Sequence, residues 1–119
     1  MSAVGQYNLA FNALGDPTRR AIFEKLEKGP LSVVHIAEGI SVTRPAVSQH
    51  LKVLREAKLI SMVQKGTRSI YQVDQEGLRT IREYLDRFWD EALDNFKKLA
   101  EQTENQKPKN NGNNEPDNN

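Results

Sequence analysis

The sequence predicts a mainly α-helical fold interrupted by one β-hairpin. Apolar residues recur at three- and four-residue spacing up to about residue 57 and again from about residue 75. Between those stretches the pattern turns to β-branched residues around the turn-forming Lys65-Gly66-Thr67. Asp16, Ser32, Thr43 and Asp74 stand where helices begin, and each carries a side-chain oxygen able to accept from the orphan backbone N–H groups of a first turn.

Tyr7 to Leu14 forms a short first helix with Leu9, Ala10, Ala13 and Leu14 on one side, and Gly15 ends it. Asp16 caps a second helix from about Pro17 to Lys28, and Pro17 fits its first position because the missing N–H would have been an orphan. Ile22, Phe23 and Leu26 make its apolar stripe, and Gly29-Pro30 stops it. Ser32 caps a short third helix holding Val33, Val34, Ile36 and Ala37, closed by Gly39. After the tight turn of Ile40 to Val42, Thr43 caps a fourth helix over about 44–57, with Val47, Leu51 and Leu54 on one buried face. Leu59 to Val73 is the hairpin. Asp74 caps a final helix over about 75–101, with Leu78, Ile81, Leu85, Phe88, Ala92, Phe96 and Leu99 on one stripe, widened by Trp89 and Leu93. That stripe is too long for so small a core, and its surplus packs most simply on a second copy of the chain. Residues 105–119 hold seven Asn and no aromatic or branched apolar residue. The expected organisation is therefore one domain over 1–101 and a disordered Asn-rich tail over 102–119.

With 119 residues, 37% of them hydrophobic, the chain can bury one modest core. It has no cysteine, which excludes disulfides and thiolate metal sites. No apolar run reaches the roughly 18 residues of a membrane span, and Met1 to Asn8 lacks the basic start and apolar run of a secretory signal, so a cytoplasmic protein without a membrane partner is expected. The net charge of +1 conceals a strong asymmetry. Residues 41–71 carry Arg44, Lys52, Arg55, Lys58, Lys65 and Arg68 against Glu56 alone, a footprint suited to a polyanion or else a solvated basic face.

Two short helices joined by a Gly-containing turn and followed by a hairpin describe a winged helix-turn-helix, whose second helix of the pair enters the major groove of DNA. Helix 44–57 suits that role. With Val47, Leu51 and Leu54 inward, Pro45, Ser48, Gln49 and Lys52 point outward, while Thr43 and Arg44 stand at the N-terminal end where base edges are met. Ser and Gln offer donors and acceptors to base edges, Arg pairs bidentately with guanine, and the helix N-terminus favours a phosphate. Lys65 and Arg68 straddle the hairpin tip, so a wing over 64–69 suits backbone or minor-groove contact. The expected partner is double-stranded DNA.

Leu14-Gly15-Asp16-Pro17-Thr18-Arg19-Arg20 resembles the opening of the second helix of ArsR-type repressors. The run from Thr43 to Ile60, TRPAVSQHLKVLREAKLI, is similar to their recognition helix and its exit into the wing, and Gly66-Thr67-Arg68-Ser69-Ile70-Tyr71 to their hairpin. The resemblance covers roughly residues 7–100. It implies a homodimer held by the first and last helices, binding a palindromic operator and repressing transcription. It matches Arg44, Ser48 and Gln49 to base-contacting positions, and Lys65 and Arg68 to backbone contacts. The paired thiolates of metal-sensing members correspond to Ser32 and Val34, and residues 75–101 contain no His. The chain is therefore similar to a metal-independent branch, with no metal site, no cofactor and no inducer named by its residues.

Other roles attach to single residues. His35 is structural or solvent-facing, or senses protons or metal. His50 packs or hydrogen-bonds at the flank of the fourth helix, or contacts a base. Phe88 and Trp89 pack, or line a ligand pocket. Asp86, Asp90, Glu91 and Asp94 form a solvated face, or hold a hard cation. Arg19 and Arg20 touch the DNA backbone or face solvent. A second class of function is a protein-docking module using the last helix, since fold alone does not fix function. Catalysis is not expected: no nucleophile has a neighbouring base, and there is no Gly-rich phosphate loop.

Overall fold

A computed structural model describes residues 3–106. Its elements run α1 (Ala3–Gly15), α2 (Pro17–Leu26), β1 (Leu31–Ser32), α3 (Val33–Ala37), α4 (Arg44–Glu56), β2 (Ile60–Lys65), β3 (Arg68–Val73) and α5 (Gln75–Gln106). The three strands form an antiparallel sheet in the order β1-β3-β2. By packing, the chain divides after Tyr84 into two units.

The first unit owes its order to the buried faces of α1, α2, α3 and α4. Ala10, Ala13, Ile22, Leu26, Ile36, Val47, Leu51, Leu54, Ala57, Leu59 and Ile60 form one core, with Tyr71, Val73 and Ile81 packed against it. Small residues on α1 let that helix lie close. Tyr7 and Phe11 of α1 meet Tyr84 at ring-centroid distances of 5.0 and 5.2 Å. Gly66 takes φ 63 at the first central position of the β2–β3 turn, the conformation a tight two-residue hairpin connection requires and a Cβ opposes.

Several elements differ from expectation. Helix α1 begins at Ala3 rather than near Tyr7, and α2 ends at Leu26. Strand β1 is an addition: Leu31 pairs with Tyr71 and Ser32 with Ile70, so the start of the third helix is joined to the hairpin. Ser32 is buried at the N-cap of α3 but its hydroxyl makes no capping bond; it lies 3.0 Å from Nδ1 of the exposed His35. Helix α5 continues to Gln106 rather than stopping near residue 101, because the polar run Glu101 to Gln106 consists mostly of good helix formers. Residues 102–106, expected to begin a disordered tail, are therefore helical, and the rest of that expected tail, residues 107–119, lies outside the described residues.

The second unit, from Leu85, is the remainder of α5. Its large apolar side chains are exposed, from Leu85 at 49% to Phe96 at 72%. Lys98 pairs with Asp94 at 3.2 Å along its surface. Phe88 and Trp89 stand on this exposed face. Among the described residues no group of three or more His or carboxylate side chains is placed to hold a metal, and no helix is long and apolar enough to cross a membrane.

Candidate nucleic-acid interface

Helix α4 is built from its caps inward. Thr43 Oγ1 accepts from the Ala46 backbone N–H at 3.2 Å, and Pro45 in the first turn has no donor to leave orphaned. At its other end the Leu59 N–H donates to the Leu54 carbonyl at 3.0 Å and the Lys58 N–H to that of Arg55 at 2.9 Å. Lys58 takes φ 64 between them. This is a Schellman cap with a lysine where glycine is usual, sealed by the apolar pair Leu54 and Leu59.

Between these caps the two faces of the helix are opposite in character. Val47, Leu51 and Leu54 are at most 1% exposed. Arg44, Ser48 and Lys52, spaced four apart, make an exposed ridge with Pro45 and Gln49 beside it. The sequence-assigned residues Thr43, Arg44, Pro45, Ser48, Gln49 and Lys52 thus lie together at the start and outer face of one rigid helix. Arg55 continues the cationic side, and with Lys52, Glu56, Ile60, Ser61 and Met62 it lines a cleft of about 470 Å³ beside β2.

Lys65 and Arg68 are register partners across the hairpin tip, both exposed. Directly opposed like charges destabilise a strand pair, so this tip is better matched to a polyanion than to water alone. One step in, Ser69 Oγ donates to Gln64 Oε1 at 3.0 Å and braces the two strands. Among the described residues, none of Arg44, Lys52, Lys65 and Arg68 forms an ion pair within the chain.

The flanking residues have structural duties. Asp16 Oδ2 accepts from the Arg19 backbone N–H at 2.9 Å and so caps α2. That bond holds the Asp16 carboxyl below its ordinary value; partial burial opposes it, and the nearby charges of Arg19 and His50 reinforce it. His50, half-buried on the flank of α4, brings Nδ1 within 4.0 Å of the same carboxylate and ties the outward-facing helix to α2. Arg19 donates from Nε to the Ala13 carbonyl at 2.8 Å, and Arg20 from Nη1 to that of Leu14 at 2.8 Å. Both guanidinium groups satisfy the carbonyls left open at the end of α1 and complement its dipole. Neither of the two expected roles for them, DNA backbone or solvent, includes this one. Lys25 Nζ does the same for α3, donating to the carbonyls of Ile36, at 3.2 Å, and Glu38.

An uncompensated cationic ridge on the second of two short helices, followed by a hairpin with a basic tip, defines a DNA-binding winged helix-turn-helix. A helix-turn-helix domain family matches residues 14–63. The chain is 48% identical over 101 residues to the HTH-type transcriptional regulator Rv2034 of Mycobacterium tuberculosis, covering 85% of this chain and 94% of that protein. It is 37% identical over 67 residues to the transcriptional repressor SdpR of Bacillus subtilis, covering 56% of this chain and 74% of the repressor. An ArsR-like transcriptional regulator from Rhodococcus sp. RHA1 superposes with a TM-score of 0.69 at 28% identity, over 82% of this chain and 94% of that one. The protein belongs to the ArsR family of winged helix-turn-helix transcriptional regulators, and its relatives are regulators rather than enzymes.

Proposed function

We propose that the protein is a cytoplasmic homodimeric repressor that binds a palindromic operator in double-stranded DNA without a metal or cofactor. Helix α4 enters the major groove, with Arg44, Ser48 and Gln49 at base edges and Thr43, Pro45 and Lys52 against the groove and its phosphates. The wing over 64–69 lies on the backbone or in the minor groove, with Lys65 and Arg68 on phosphates. The observation that carries this reading is the outer face of α4, where short polar groups suited to base edges are flanked by cations that form no ion pair among the described residues. The exposed apolar face of α5 supports the second copy, and the likeness to a transcriptional repressor supports repression. The absence of cysteine, together with His35 engaged by Ser32, favours the metal-independent reading.

The test separates base contacts from phosphate contacts. On an operator obtained by in vitro selection, Arg44→Ala or Gln49→Ala costs about 1–3 kcal/mol and relaxes preference at one base position. Lys65→Ala weakens binding to all duplexes alike and reduces the salt slope by about one. Equal losses from both kinds of variant on operator and random DNA would overturn the assignment.

A further inference from the structure

The C-terminal end of α4 is held at three points by α1 and the head of α5, the two helices through which the family resemblance implies dimerisation. From α1, Gln6 Nε2 donates to the Ala57 carbonyl at 2.9 Å. At the head of α5, the Asp74 N–H donates to the Leu59 carbonyl at 2.9 Å. The third point is Gly77, in the first turn of α5. A Cβ added there would overlap the Lys58 carbonyl group, meeting its carbon at 2.8 Å and Leu59 Cα at 3.0 Å. Carbon atoms normally approach only to about 3.5–4.0 Å, so any side chain at this position pushes α5 and the end of α4 apart. A helical glycine costs about 1 kcal/mol relative to alanine, and here the return is this close approach. The receiving backbone is itself fixed, because Lys58 sits inside the Schellman cap with both flanking hydrogen bonds made.

We propose that this three-point clamp, centred on Gly77, fixes the end of α4 against α1 and the first turn of α5 and thereby selects the half-site spacing that the protein reads. Gly77 is a positioning residue for operator specificity and touches no base. The inference rests on the dimeric DNA-binding reading given above. The two reading helices of a two-fold dimer must match half-sites about 34–36 Å apart. A displacement on the order of 1 Å in each protomer, doubled across the two-fold axis, exceeds half of the roughly 3.4 Å base-pair step. Spacing preference is therefore sensitive to a change too small to alter the outer face of α4.

The experiment titrates the full-length protein against duplexes carrying two copies of the selected half-site, with the centre separation stepped by single base pairs around about 10 bp, and against a duplex with one half-site. The wild type should prefer one separation sharply. Gly77→Ala should lose about tenfold on that duplex and shift or broaden the optimum, while single half-site affinity stays within about twofold. Gln6→Ala removes one arm of the clamp without disturbing the core, and should change the spacing profile in the same direction by about threefold. It decides the matter if Gly77→Ala fails to fold. Equal losses on every duplex, or unchanged spacing profiles in the variants that fold, would overturn the clamp. A wild type that binds no duplex overturns the DNA-binding reading instead, and one indifferent to spacing overturns the dimeric reading.

Discussion

Asp16 serves two helices with one carboxylate. It caps α2 through the Arg19 N–H and lies 4.0 Å from His50 Nδ1 on α4, so one carboxylate stands against both helices. Its folded carboxyl titrates below the ordinary value of 3.8. The stabilisation is therefore fully present above that value and is lost as pH falls through the lower folded one. Asp16→Asn keeps an equally good cap at neutral pH but no longer ionises. Its urea midpoint should fall less steeply than the wild type's on acidification below about pH 4, and identical acid limbs would contradict the assignment. The cap was readable from Asp16 standing before Pro17. The His50 contact was not, because it joins residues far apart in sequence whose meeting depends on how α2 packs against α4. Arg19 and Arg20 show the same thing: a basic pair at a helix start reads as surface charge until the carbonyls at the end of α1 are seen within reach.

At the scale of elements, α4 and its caps carry most of the site. Its inner face was legible because Val47, Leu51 and Leu54 follow the helical period without interruption, and the outer face follows by subtraction. Its end was not legible as a Schellman cap, because the left-handed position holds Lys58 rather than glycine. A side chain there costs about 1–2 kcal/mol. Lys58→Gly should accordingly raise stability in urea denaturation by about 1 kcal/mol, and a loss of stability would show that the lysine side chain itself supports the fold. Strand β1 escaped the sequence reading for a different reason. Two residues are too few to display an alternating pattern, and Leu31 and Ser32 become a strand only because β3 supplies partners. Gly77 carried no signal at all, since a single glycine within a helical stretch does not reveal the backbone that approaches it.

At the scale of the whole molecule, the long exposed face of α5 is the feature that most requires a partner. Leu85, Trp89, Leu93, Phe96 and Leu99 are all about half or more exposed, an apolar surface of a kind that soluble monomers seldom present. Its length was legible from the spacing, although the helix outruns its expected end. Phe96→Glu places a charge on the stripe and should convert the proposed dimer to monomer in sedimentation equilibrium at micromolar concentration. A variant that remains dimeric would move the interface elsewhere.

The central place of β3 in the sheet has a mechanical consequence. Because β1 holds β3 on the side away from β2, the ribbon is bonded along both flanks at Ile70 and Tyr71 and cannot swing about its base as an isolated hairpin would. In the proposed complex its tip meets the duplex as a fixed calliper. On that proposed contact, differences in groove width are taken up by the rotamers of Lys65 and Arg68 or by bending of the DNA, so the deformability of the sequence under the wing counts even where no base there is read.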